Sequence, residues 1–279
     1  MKDFAKSFAR NRGAVLGIVI LVLVLGLTLA APLLFPRSPW SIVQRPFLPP
    51  LSVPGFPLGT DTLGRDLASG LAHGAYVSLM VGLISTVVSL AIGVPLGAAA
   101  GYFGGWVDDG LMRITEFFQV IPAFAFAVVL VAIFQPSITS IVIAIALVSW
   151  PPVARLLRGE VMSLRTREFI EAAELSGQSG LTIIWRQILP NTLSPVIVLA
   201  SMMVATAILT ESALSFMGLG DPNVMSWGYM IGAGRTVIRQ AWWISFFPGL
   251  AILLTVLAFN LIGEGLNDVL NPRLSKRRS

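Results

Sequence analysis

The sequence predicts an all-α polytopic membrane protein with six transmembrane helices. Three observations carry that expectation. Of 279 residues, 55% are hydrophobic and 12% charged, with a mean hydropathy of +0.82; that is about half the charge of an ordinary soluble domain. Charge is also absent from whole stretches, residues 13–36, 67–107, 117–154, 187–210 and 241–263. A helix rises about 1.5 Å per residue, so about 20 apolar residues cross a hydrocarbon core of ~30 Å. Finally, six crossings leave Arg37, Arg45, Arg65, Arg235 and Arg239 on one side and the remaining fourteen of 19 lysines and arginines on the side of both termini. Basic residues gather on the cytoplasmic side. Both termini are therefore expected in the cytoplasm, and a miscounted span would have mixed the two groups.

The elements follow in order. Lys2, Lys6, Arg10 and Arg12 precede an apolar run that continues to Phe35. A signal h-region is about 7–15 residues, so this run reads as a retained first span within segment 1–35. Residues 36–73 form an outer loop. Within it Gly59, Thr60, Asp61, Gly64, Arg65 and Asp66 pack turn-formers and three charges into eight residues. That composition fits a structured lid with Asp61–Arg65 or Asp66–Arg65 bonding, or a surface that meets a partner. His73, the single histidine, closes the loop as a solvated or hydrogen-bonded residue.

Span two carries Gly74, Ser78 and Gly82, then Ser85, Ser89, Gly93, Gly97 and Gly101 at intervals of four. Such a stripe lets helix backbones approach in lipid, either as a fixed seam or as one between moving halves. Spans three and four run from Asp109 to Ala154, broken at Gln135-Pro136. Pro95, Pro122, Pro151-Pro152 and Pro248-Gly249 interrupt the spans; proline removes a donor and kinks a helix. Neighbouring helices or a wet cavity must then satisfy the freed carbonyls.

Between spans four and five lies the most polar stretch, "EFIEAAELSGQSGLTIIWRQILPN", residues 168–191. Thr166 is the expected N-cap, with Glu168 in the first turn where the helix dipole favours an acid. Gly177 suits the left-handed position that ends a helix, and Ser179 can cap a second one. There Leu181, Ile184, Trp185, Ile188 and Leu189 form an apolar stripe. Pro190 is expected to turn the chain into span five. Two short helices would thus make a rigid knuckle under the bundle.

Glu211 lies about 20 residues beyond Asn191, hence roughly 30 Å along the helix and near the outer face. It is the candidate for lining a path or an outer gate. Glu116 and Glu264 fall at the cytoplasmic ends of spans three and six, so no acid is plainly at the midplane. Trp227-Gly228 and Trp242-Trp243 read as interfacial anchors on the outer side. Residues 268–279 form a basic tail.

Several functions are disfavoured by what is missing. Lysine occurs only at positions 2, 6 and 276, so no phosphate-binding loop exists inside the chain. One histidine and no cysteine leave no zincin motif, multi-histidine cluster or thiolate site. Neither enzymatic activity nor a bound metal or cofactor is expected in this polypeptide. The pI of about 10.2 reflects membrane orientation and calls for lipid, not nucleic acid, as partner. An ion-coupled secondary transporter would work alone and would place a charge at the midplane. A membrane sensor or scaffold would tolerate loss of the pathway.

Glu171-Ala172-Ala173, then Gly177 after three residues, then Ile188-Leu189-Pro190 after ten more, resembles the EAA loop of permease subunits of bacterial ABC importers. "PLGTDTLGRDLASGLAHGAYVSL", "AGYFGGWVDDGLMRITEFF", "ILTESALSFMGLG" and "FPGLAILLTVLAFNLIGEGLNDVLNPRL" are similar to the C-type permease of dipeptide, oligopeptide and nickel importers, over nearly the whole chain. Ser176, Gln178 and Glu264 are slight departures.

The resemblance implies a type I ABC importer transmembrane fold. Residues 74–267 would form the transmembrane domain, with the EAA loop at 165–190 as coupling helix. Glu171 would pair with a basic residue of an ATPase, Ala172 and Ala173 would be the contact surface, Gly177 the bend, and Ile188 and Pro190 the end of the motif. The outer-loop signature, Gly59 to Asp66, would help meet a substrate-binding protein. The implied partners are a second homologous permease subunit, two ATP-binding subunits carrying ATP and magnesium, and an extracytoplasmic binding protein, at a bacterial inner membrane. The implied solutes are dipeptides or oligopeptides, with nickel or metal chelates and glutathione as alternatives.

Overall fold

Asn11 and Asp66 open the first two long helices by the same device. In the computed structural model, which describes residues 8–270, the Asn11 side chain accepts from Ala14 N–H and starts α1 (Arg12–Leu34). Asp66 accepts from Ala68 N–H at 3.0 Å and starts α2 (Leu67–Phe103). Each cap satisfies a donor that the first turn leaves unpaired. With 37 residues, α2 is about 55 Å long and begins six residues before the expected end of the outer loop. His73 therefore sits inside the helix, its Nδ1 3.0 Å from the Ser69 carbonyl oxygen. Lys2, Lys6 and most of the expected basic tail lie outside the described residues.

The chain continues through α3 (Gly105–Val120), α4 (Ala123–Phe134), α5 (Ile138–Arg165), α6 (Glu168–Leu175), α7 (Gly180–Leu219), α8 (Trp227–Gly234) and α9 (Trp243–Leu270). Among the described residues the only extended pairing is two isolated bridges, Ile42 with Arg65 and Thr60 with Asp66. Five helices, α1, α2, α5, α7 and α9, are each long and apolar enough to cross a membrane. The sixth crossing exists only as the pair α3 and α4, bent by 83°. Where the sequence suggested a kink at Pro122, the helix breaks. A proline disfavours helical geometry in the residue before it, and Ile121 is extended at φ −81° and ψ 128°. Alone, the 12 residues of α4 cover about 18 Å, too little for a crossing.

The small-residue stripe of α2 is a packing seam with two customers. A methyl at Gly93 would lie 2.6 Å from Val153 Cβ, and one at Gly101 would lie 2.7 Å from the Arg158 carbonyl oxygen, both on α5. Nearer the other end, a methyl at Gly82 would lie 2.8 Å from Ile208 on α7. α1 packs on α9 in the same way, since a methyl at Gly17 would sit 2.8 Å from the Ala258 carbonyl oxygen. Close backbone approach replaces the apolar drive that lipid does not supply.

Of the aromatic residues expected at the interface, only Trp242 is exposed. Trp227 is 1% exposed and its indole donates to the Leu71 carbonyl at 2.9 Å. Trp243 is buried and donates to the Thr60 carbonyl at 3.2 Å. A buried indole needs an acceptor, and both have found one inside the chain.

Candidate functional site

The elbow between α5 and α7 is built by local chemistry at each corner. Thr166 does not cap α6; it ends α5, with its hydroxyl bonded to the Ser163 carbonyl at 3.2 Å. Arg167 is the N-cap, extended and without a side-chain bond, and Glu168 and Glu171 fill the first turn, where the helix dipole favours acids. α6 turns Ile170 and Ala173 inward against Leu157, Val161, Ile183 and Ile188. Glu171 and Ala172 face outward, beside Leu175 at 90% exposure. The two alanines thus divide: Ala172 is surface and Ala173 is core.

Gly177 ends α6 at φ +78°. Its N–H donates to the Glu174 carbonyl at 2.9 Å, and Gln178 N–H to that of Ala173 at 3.2 Å, so the last carbonyls are satisfied. Nothing lies within 4 Å of where a Cβ would stand, so conformation alone favours glycine here. Ser179 then accepts from Thr182 N–H and starts α7.

Two expectations for this helix are corrected. The buried residues are Ile183, Ile184 and Ile188, whereas Leu181 and Trp185 are exposed. Pro190 also does not turn the chain, because α7 runs on for 40 residues. The second follows from a π turn at Ile184–Ile188, closed by Leu189 N–H on the Ile184 carbonyl. Proline has no N–H to offer and its ring would strike the carbonyl four residues back; widening the preceding turn relieves the clash. The inward face of this segment carries the three isoleucines, with Leu181 and Trp185 on the outward side. The knuckle is therefore one short helix and the first turns of a long one.

Side chains distant in sequence brace the elbow. Tyr102 at the end of α2 donates to Glu174 at 2.9 Å, and the Arg165 guanidinium lies 5.7 Å over its ring. Arg158 forms a two-pronged pair with Asp108, at 2.5 and 2.6 Å, which joins α5 to α3. The sequence reading missed Tyr102, Arg158, Asp108 and Leu175. The acid pair Asp108-Asp109, closing a charge-free stretch opposite basic α5, was the available signal.

The outer-loop residues are spent on the loop itself. Gly59 and Gly64 lie at φ +78° and +84°, and a Cβ on either would collide with the carbonyl oxygen of Leu48 or Gln44. Thr60 is buried; its hydroxyl donates to the Arg45 carbonyl and accepts from Leu48 N–H. Asp61 accepts from the N–H groups of Leu63 and Arg65 at 2.8 and 2.9 Å. Arg65 lies 3.8 Å from Asp61 and stacks on Trp40 at 4.6 Å. Burial pushes the Asp66 carboxyl up, while amide bonds from Ala68 and Ser69 oppose it. The loop displays both apolar and polar side chains: Ile42, Leu51 and Leu63 are exposed, and so are Arg37, Gln44 and Arg45. Glu211, the expected path or gate residue, is 1% exposed and packed among three serines of its own chain.

Residues 93–276 match the family model described as binding-protein-dependent transport system inner membrane component. The chain belongs to that family. Residues 1–50 also match the N-terminal transmembrane domain of oligopeptide transport permease C. As an inner membrane component, it is 43% identical to the di/tripeptide transport system permease protein DppC of Pseudomonas aeruginosa, over 98% of this chain and 92% of that one. It is 39% identical to the oligopeptide permease OppC of Escherichia coli K12, over 98% and 91%. Its fold is similar to that of a chain in an inward-facing structure of the MetNI methionine ABC transporter, with a TM-score of 0.60 and 16% identity over 72% of this chain and 96% of that one. The inner membrane component thus has an all-α ABC permease architecture, as its sequence led one to expect.

Proposed function

We propose that this chain forms half of the translocation pathway of an ATP-driven importer, taking dipeptides or oligopeptides from an extracytoplasmic binding protein. A second, homologous permease subunit completes the pathway, and two ATP-binding subunits carry ATP and magnesium. Both termini and the elbow face the cytoplasm, in a bacterial inner membrane. The observation that carries the reading is the elbow: an outward face of Glu171, Ala172 and Leu175 on α6, fixed to the bundle by Ile170 and Ala173, and continuous through Gly177 with α7. Closure of the ATPase pair moves α6, and α7 carries that movement across the membrane. A ligand shifts such an equilibrium only by binding its two states unequally, so the docking face must fit the closed and open ATPase differently. Peptide as solute is supported by relatives whose names specify di/tripeptide, dipeptide and oligopeptide transport.

The test uses the assembled transporter with its binding protein. Proline cannot adopt φ +78°, so Gly177→Pro breaks the bend, and Ala172→Trp fills the docking face. Peptide uptake and substrate-stimulated ATP hydrolysis are expected to fall by about tenfold or more in each, within the range of typical coupling energies. Survival of both activities in both variants would refute the coupling role. The solute class is tested separately by the compounds that the cognate binding protein retains on purification.

A further inference from the structure

A buried carboxylate fastens the outer helix α8 to the long helix α7. Glu211 stands near the outer end of α7, and hydroxyls from two separate pieces of chain converge on it. Ser215 and Ser226 donate to Oε1 at 2.9 and 2.8 Å, while the Ser212 hydroxyl, which donates to the Ile208 carbonyl at 2.8 Å, lies 3.4 Å from Oε2. Withdrawing a carboxylate from water is costly unless hydrogen bonds compensate, and here the compensation comes from both sides of a joint. Ser212 and Ser215 belong to α7. Ser226 precedes α8 and also accepts from Tyr229 N–H at 3.0 Å, so one hydroxyl both meets Glu211 and starts α8.

The backbone is closely fitted around this joint. A methyl at Gly228 would lie 2.9 Å from both Glu211 oxygens, and one at Gly232 would lie 2.7 Å from the Ser215 carbonyl oxygen. α8 in turn reaches the outer loop. The Tyr229 ring meets Trp40 edge-on at 5.2 Å, and its hydroxyl accepts from Arg65 at 3.5 Å. Outer loop, α8 and α7 are thus joined in series, and α7 begins at the elbow about 45 Å away from Glu211 along its axis.

We propose that Glu211 is a positioning residue, a latch through which the outer loop's engagement with the binding protein is felt by α7 and hence by the ATPase. The proposal rests on the function proposed above, which supplies the partner at each end. With the latch made, α8 and α7 move as one body. Without it, α8 shifts alone and the signal stops at the outer face.

Two readouts test this in the assembled transporter. The chain has no cysteine, so Met225→Cys provides a single label site in this subunit, and Met225 is buried beside Ser226. Glu211→Ala is expected to raise the maleimide labelling rate of that cysteine and to lower the stimulation of ATP hydrolysis by loaded binding protein about fivefold or more. Basal hydrolysis should stay unchanged. Glu211→Gln keeps an acceptor for Ser215 and Ser226 and should retain most of the stimulation; Ser226→Ala should resemble Glu211→Ala. Unchanged labelling in Glu211→Ala would overturn the latch, and raised labelling with intact stimulation would overturn its role in signalling. Parallel loss of basal and stimulated hydrolysis in Glu211→Ala and Ser226→Ala would assign the cluster to stability alone. If the unmodified transporter shows no stimulation, the proposed function fails, and labelling still decides the latch.

Discussion

A single residue can be read in this chain as conformation, as contact or as charge, and the three respond differently to substitution. Gly64 is a conformational case with a contact added: its positive φ and the adjacent Gln44 carbonyl leave no room for a side chain. Gly64→Val is expected to unseat the outer loop, read as faster cleavage of the 36–66 segment by external protease. Asp108 is a charge case. Its two-pronged bond to Arg158 ties α3 to α5, and hydrogen bonds to charged groups contribute about 1.5–3 kcal/mol. Because Arg158 is about one-third exposed, Asp108→Asn should cost about 1.5 kcal/mol, the lower end of that range. Thermal unfolding in detergent checks this as a midpoint lower by a few degrees.

At the scale of elements, glycine spacing and proline position govern how helices meet. Gly97 lies where a side chain would enter Ala154 and Leu157 of α5. Gly97→Leu should force α2 and α5 apart and sharply reduce the amount of folded permease in the membrane, whereas exposed Gly110 should accept alanine without loss. Pro190 tests the π turn. Pro190→Ala restores the missing donor, so the turn at Ile184–Ile188 is expected to relax toward α geometry. Trp185 should then roll from the surface toward the core, measured as a blue shift in its fluorescence in a background where the other tryptophans are replaced.

How much was legible in the sequence follows from the range of the forces involved. Runs without charge mark the spans because a charge in hydrocarbon is expensive wherever it falls. Gly177 and Ser179 were legible because a left-handed stop and an N-cap are settled within a few residues. Tyr102–Glu174 and Asp108–Arg158 were not, since their partners lie 72 and 50 positions apart and meet only when α2, α3, α5 and α6 pack. The same holds for Trp227 and Trp243, whose spacing fits an interfacial anchor until the fold supplies buried acceptors. Glu211 was singled out by charge, but its serine partners required the return of α8. The outer-loop motif and its Asp61–Arg65 pairing were visible as one of two readings, while the distant partners Arg45, Leu48 and Trp40 were not.

In the proposed importer the whole molecule would work as a set of levers around α2. At one end α6 stands proud of the bundle, braced by Tyr102 and Ile170. From that point α7 crosses to the outer side, where Glu211 and α8 connect it to the outer loop. The function proposed above depends on an elbow that a separate motor can hold. The direct measurement is cross-linking from Leu175→Cys in a chain that has no other cysteine, in the complete transporter during turnover. A cross-link to an ATP-binding subunit, with a yield that changes between nucleotide-free and ATP-bound states, is the expected result. Cross-links confined to lipid or to this chain, in a transporter that still takes up solute, would contradict the account.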